Sequence, residues 1–374
     1  MREQNRYTKK LTLVILTFLA YIIARGIDAA LPAKYFYDAN RVNSMVLRDG
    51  RMEVWDDSYT VAADFFRAIN GFDLTTVMEW GILLGLIGTI VTVFFLFDTI
   101  DLNFFEETLW LMSIVLLNIY SLNICKDFLQ FFFYVAMLIV IMITALPVPL
   151  RLTLVLTLLI IDGLEFRSYY VLIAAFFMMF YLIITHFGCK TIASLVLWSL
   201  LACALFLIAA YLILPSQYTS LVTARSGVND IREGNIDVNS MINNLIPGTN
   251  LGATILNLPI NVVRLLFPLE MVARGPLYLL FFAYQIILDY LLYLCAKRML
   301  LHKPTNRECA MLLSLFLGFV VTCSFFEPDF GSWLRHEVTA FPIYQALFFS
   351  KTTQSRTILP SGKTHGIATR PAFA

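Results

Sequence analysis

Charge is what this chain has least of. Of its 374 residues 14% are charged and 59% are hydrophobic, whereas a soluble domain carries about 25% charged residues. The deficit runs along the whole length. It excludes an ordinary soluble enzyme and points to a chain that passes repeatedly through a bilayer. An excess of either sign is lacking too. Net charge is +1, so nucleic acid is not an expected partner. The six cysteines, Cys125, Cys189, Cys203, Cys295, Cys309 and Cys323, are scattered and form no CxxC pair. They read as small buried hydrophobes, not as a metal site or a disulfide framework. No internal repeat or separate soluble domain is present. A good small-residue cleavage site is missing after LTLVILTFLAYIIA, so the basic N-terminus MREQNRYTKK reads as the start of an uncleaved signal-anchor helix. SGKT near the end is not a phosphate-binding loop, because Thr357 stands where that motif requires glycine.

What is abundant is apolar sequence, with mean hydropathy +0.76. Runs at 11–31, 78–97, 108–124, 128–147, 150–164, 169–186, 192–214, 275–296, 309–326 and 337–350 predict about ten transmembrane helices. The expected fold is all-α, a polytopic membrane protein with one helical domain over 1–350 and a disordered cytoplasmic tail over 351–374. Basic clusters lie before the first run, in the hinge AKRMLLHKPTNRE and in the tail. An even number of crossings and the positive-inside rule together place all three, and both termini, on the cytoplasmic side. Two long loops, 32–77 and 215–274, then face outward. The second contains NLPINVVRLLFPLEMVARGP, whose prolines favour a re-entrant or interface-lying segment over a crossing.

On this topology the outward basic residues are eleven Arg to two Lys, against seven of each inside. Arginine suits bidentate recognition of phosphate or carboxylate. It also snorkels and pairs locally, so two readings stand: an outward cavity for an anionic ligand, or a set of structural ion pairs. Arg167, in IDGLEFRSYY with Asp162 and Glu165, lies in a tight turn between apolar runs. Arg335 has a similar position, and Arg264 and Arg274 lie on the possible re-entrant segment. Charges at such depth usually face a protein cavity. The most polar interruption is FFEPDFGSWLRHEVTAFP, residues 325–342, where Glu327, Asp329, Arg335, His336 and Glu337 sit between two apolar runs. His336 is the only histidine on the outward side. Asp289, in YQIILDYLLY, is an isolated intramembrane acid.

Three stretches, KYFYDANRVNSMV, GLEFRSYYVLIAAFF and EPDFGSWLRHEVTAFP, together with the topology, resemble the integral-membrane polymerases of bacterial capsule and exopolysaccharide synthesis, the Wzy-type and EpsG-like proteins. The resemblance implies an enzyme of the bacterial cytoplasmic membrane, similar in fold to the C-type glycosyltransferases. It would join repeat units carried on undecaprenyl pyrophosphate at the outer face, with no metal and no cofactor. Its partners would be lipid-linked oligosaccharide, membrane lipids, a flippase and a chain-length regulator. Arg335, Arg167, Arg264 and Arg274 would hold pyrophosphate. His336, Glu327, Asp329, Glu165 and Asp38 would supply the acid or base near the acceptor. The alternatives are a single-addition C-type transferase using a polyprenyl-phosphate sugar, with Asp38, Asp56 and Asp57 around a divalent cation; a transporter or flippase of lipid-linked sugar, which requires paired intramembrane charges or broken helices in two corresponding halves; and a non-catalytic scaffold.

Overall fold

The computed structural model describes residues 2–48, 57–187, 189–232, 240–301 and 306–351. All named elements are helices: α1 (Arg2–Ala30), α2 (Tyr37–Leu47), α3 (Asp57–Ile69), α4 (Val77–Leu96), α5 (Phe104–Tyr120), α6 (Lys126–Met142), α7 (Val148–Glu165), α8 (Tyr170–His186), α9 (Ile192–Ile213), α10 (Pro215–Arg232), α11 (Leu251–Leu266), α12 (Leu269–Val272), α13 (Pro276–Leu301), α14 (Arg307–Phe326), α15 (Phe330–Thr339) and α16 (Phe341–Phe349). Local sequence sets several of the starts. Thr76 with Glu79 and Asn103 with Glu106 form capping boxes at α4 and α5, each satisfying backbone N–H groups that lack a partner in the first turn. Asn250, Asn306 and Asp329 cap α11, α14 and α15 in the same chemical way.

Five helical stretches are long and apolar enough to cross a membrane: Tyr7–Ala30, Val77–Leu96, Ile192–Ile213, Tyr278–Leu300 and Arg307–Phe326. The chain is therefore a helical membrane protein in its coarse features. The other expected segments are shorter. Helices α5, α6 and α8 have 17 residues and α7 has 18, about 26 Å at 1.5 Å per residue.

The last segment differs most from expectation. It is not one helix over 337–350. It starts at Phe330, breaks at Ala340 and resumes with Pro342 in its first turn, where a missing N–H is tolerated. The hydropathy window missed the polar first half because Arg335, His336 and Glu337 lie inside the helix. Its two ends meet opposite ends of the bundle. Arg335 contacts Asp38 at one end; Ser350 bridges Thr99 and Lys351 N–H donates to the Asp98 carbonyl at the other. Lys10 closes that second end by donating to the carbonyls of Leu96 and Thr99 at 3.0 and 3.1 Å.

The two expected outward loops are also largely helical, as α2 and α3 in the first and α10 to α12 in the second. Helix α11 carries Pro259 within it. Its first turn meets Tyr218, which follows the end of α9, and its last turn meets Asn243. It lies across the end of the bundle that holds Asp38.

Helix α14 is the axis around which the rest packs. Its membrane-length window is 89% buried, against 17% for α9. Its broadest contact is with α8. Gly318 permits it: a Cβ there would stand 2.9 Å from the Phe177 nitrogen and 3.3 Å from the Ile173 carbonyl oxygen. Those are backbone atoms that cannot swing away, and small residues at helix contacts permit such close approach. Phe319 stacks on Trp333 at 5.6 Å, carrying the packing from α14 to α15.

Candidate active site at one end of the bundle

Six ionisable side chains from three helices and two junctions converge at the end of the bundle where α2 lies. Asp127, in the first turn of α6, is at the centre with no exposed side-chain surface. Arg167, in the turn between α7 and α8, donates Nη2–H to Asp127 Oδ1 at 2.6 Å and Nη1–H to the Tyr169 hydroxyl at 3.0 Å. Arg335, on α15, places Nε 3.1 Å from Asp127 Oδ2 and donates Nη1–H to Asp38 Oδ2 at 2.7 Å. Asp38, on α2, also accepts from the Tyr59 hydroxyl of α3 at 2.6 Å. The Tyr59 ring lies between two cations, Lys126 Nζ at 3.8 Å and the Arg41 guanidinium carbon at 4.3 Å, an arrangement the negative ring face favours.

The remaining pair is His336 and Glu327. Glu327 is the residue at which α14 ends, and its N–H donates to the Cys323 carbonyl at 2.8 Å. Its carboxylate meets His336 Nδ1 at 2.6 Å. When neutral His336 donates Nδ1–H to this carboxylate, Nε2 keeps its lone pair. Nε2 is 3.7 Å from Asp127 Oδ1, beyond hydrogen-bond range. A carboxylate that orients a histidine whose far nitrogen is open is the arrangement used for general-base work on a hydroxyl.

Burial and charge compete at the Glu327 and Asp38 carboxylates. Burial works against the Glu327 carboxylate, but His336 and then Arg335 outweigh it and hold its pKa below the usual value. Asp38 is likewise held low against its burial, by Arg335 and Lys126. The Tyr59 hydroxyl is pushed up by burial and by neighbouring Asp38, so it remains a donor. The cluster is not sealed: 27% of the Arg335 side chain and 14% each of Asp38 and His336 are exposed.

A backbone strap covers this end. Ile242 N–H donates to the Pro328 carbonyl at 2.8 Å and Phe330 N–H to the Ser240 carbonyl at 3.0 Å, a two-way bridge that pins residues 240–242 to the turn between α14 and α15. Arg225 of α10 reaches the Ser324 carbonyl and donates to Asn244 Oδ1 at 3.1 Å. Burial lowers its pKa to about 10.

Of the candidates named from sequence, Asp38, Arg167, Glu327, Arg335 and His336 are brought together. Asp329 is adjacent, and its carboxylate accepts from the Ser332 N–H at 2.8 Å as the cap of α15. Three candidates lie apart from the Asp127 group. Glu165 is exposed at the end of α7. Arg264 grips Glu270 with two nitrogens, at 2.5 and 3.0 Å, six residues along the chain. Arg274 is exposed after α12. Asp56 and the side chain of Asp57 lie outside the described residues. Among those that are described, no group of three or more His, Cys, Asp or Glu is arranged to hold a metal ion.

Sequence reasoning missed Asp127, the centre of the group, and with it Tyr59 and Lys126. The signal was present in NICKDFLQFFF. An acid in a short turn between two apolar runs is subject to the same depth argument as Arg167. Comparison with known proteins finds no matching family model, no matching curated protein and no matching solved structure.

Proposed function

We propose that the chain is a membrane glycosyltransferase of the polymerase type, extending lipid-pyrophosphate-linked oligosaccharide at the outer face of a bacterial cytoplasmic membrane. In this reading α1, α4 to α9, α13, α14 and the broken α15–α16 run make ten crossings, with both termini inside. The observation that carries the reading is the Glu327–His336 pair, open at Nε2, side by side with the partly exposed Arg335. His336 takes the proton of the acceptor hydroxyl as it attacks the anomeric carbon. Arg335, with Arg167 behind it, stabilises the negative charge that gathers on the departing pyrophosphate. Both arginines rest on carboxylates, so the lipid-linked substrate must compete with Asp38 and Asp127 for them. Reconstituted protein given lipid-linked repeat units should form a polymer ladder in excess chelator. His336→Ala should abolish the ladder while leaving substrate binding nearly unchanged. A full ladder from His336→Ala at normal protein level would defeat the proposal.

A transporter of lipid-linked sugar is the second reading. The interrupted α15–α16 helix and the two buried acids Asp289 and Glu337 favour it. Movement of labelled lipid-linked sugar across sealed vesicles, unaffected by His336→Ala, would select it.

A further inference from the structure

Beside the site just described, on the other side of α15, is a second polar group facing the bundle interior. Gln285 and Asp289 lie on α13, about 14 and 20 Å from its start at 1.5 Å per residue. Glu337, next in sequence to His336, reaches them from α15. Gln285 Nε2–H donates to Glu337 Oε1 at 3.0 Å and to Asp289 Oδ1 at 3.3 Å. Gln285 and Glu337 have no exposed surface and Asp289 has 8%. Three oxygens remain buried without a donor: Gln285 Oε1, Asp289 Oδ2 and Glu337 Oε2.

The facing groups supply no counter-charge. Asp289 feels Glu337, and Gln285 is the hydrogen-bond partner of both. Tyr284 of α13, Tyr344 of α16 and Cys323 of α14 face Glu337. The Tyr284 and Tyr344 hydroxyls are 2.9 Å from each other, and Ser113 is 3.4 Å from Tyr284. Arg335 and His336, though on the same helix as Glu337, are engaged by Asp38, Asp127 and Glu327. No lysine or arginine among the described residues pairs with either acid. Two ionised carboxylates here would leave uncompensated charge in a water-poor interior, which strongly disfavours the charged forms. They would also leave a fully buried amide oxygen facing only acceptors.

We propose that Gln285, Asp289 and Glu337 form an interior proton-binding site, in which the two carboxyl groups are held as acids and their O–H groups satisfy the orphaned oxygens. The ligand is the proton itself. Each acid gains one O–H donor, and loss of either proton restores an unmatched charge between α13 and α15. Because His336 and Glu337 are consecutive, the state of this site bears on how α15 sits and so on the group at its outer face. The inference does not depend on the chemistry assigned to that face.

Infrared spectroscopy of the reconstituted full chain tests it. At about pH 7 the wild type should show the carbonyl stretch of a protonated carboxylic acid, shifted downward in heavy water. Glu337→Gln and Asp289→Asn should each remove part of that band, and the double variant the whole contribution of the site. Replacing sodium with choline should change nothing. A double variant with an unchanged acid band overturns the proposal. So does an acid band that appears only when sodium is withheld, which would make this a cation site. A measurement on the wild type guards against variants that fail to fold. A hydrophobic carbodiimide, which reacts with protonated buried carboxyls, should form adducts at Glu337 or Asp289 in intact membranes and fewer at exposed Glu165. Adducts at Glu165 with none at either buried acid overturns the proposal as well.

Discussion

The two ends of the bundle both contain buried ion pairs, and they are built differently. At the end that holds Lys10, Arg151 Nη1 donates to the Glu308 carboxylate and to the Ile141 carbonyl, each at 2.7 Å, with 4% of the Arg151 side chain and 1% of the Glu308 side chain exposed. That contact fastens α7 to α14 and α6. At the other end Asp127 is met by Arg167, Arg335 and His336, and the pairs spread outward to Asp38 and Glu327 while remaining partly open. Sealed pairs hold helices together. A shared, half-open network has donors and a base that a ligand can reach. The contrast is why the proposed chemistry is placed at one end and assembly at the other.

The strongest way to break that contrast is to remove the base. His336→Ala should lower polymer formation by about 10²–10⁴-fold, with protein level unchanged, and Glu308→Gln should leave the rate per folded molecule intact. Polymer yield normalised to membrane protein reads both. Next is the sealed pair. Arg151→Leu removes the guanidinium 2.7 Å from the buried Glu308 carboxylate and should lower stability by about 3–5 kcal/mol, seen as an earlier thermal transition in detergent, again without changing the rate per folded molecule. An unchanged transition would mean that the sealed pair does not fasten the helices.

Arg335→Lys is intermediate, because Arg335 belongs to both categories. A lysine cannot give one nitrogen to Asp38 and another to Asp127. About a hundredfold loss of polymerisation is expected, together with a measurable loss of stability. Arg335→Lys with normal activity would remove Arg335 from the site.

Acid should separate the ends further. Glu327 and Asp38 both titrate below their usual range when folded. Their stabilisation is therefore present above the unfolded carboxylate values of about 4 and is lost as pH falls through the folded values. Thermal stability should hold from neutral to about pH 5 and drop below about pH 4. Glu327→Gln should flatten part of that drop. The smallest effect belongs to Tyr59→Phe, which removes one hydrogen bond from Asp38 and should cost about 0.5–1.5 kcal/mol. A tenfold or greater loss of activity from it would place Tyr59 among the reacting groups.

Much of this was legible in the sequence, for a physical reason that also marks its limits. Charges bounded closely by apolar runs must be matched by something, so Arg167, Glu327, Arg335 and His336 stood out. What they are matched to is tertiary information. Asp127 lies in a first turn beside Lys126, where an acid reads equally well as a response to the helix dipole, and nothing local ties it to positions 167 and 335. Arg264 differs in the opposite direction. The count of outward arginines does not show that Glu270, six residues away, meets it across the short break between α11 and α12. The broken last segment escaped because hydropathy averages over a window, and the polar half of α15 hid the helix that Asp329 begins.

The contact between Asp38 and Arg335 spans 297 positions of sequence. During synthesis Asp38 is made early, Asp127 follows, and the guanidinium that joins them leaves the ribosome only near the end. Until then the two acids have at most Arg167 and Lys126 for company in a half-built bundle. The site is therefore completed last. A chain halted before α15 has no His336, no Arg335 and an under-neutralised Asp127. Completion of the ion network is in effect the final step of assembly.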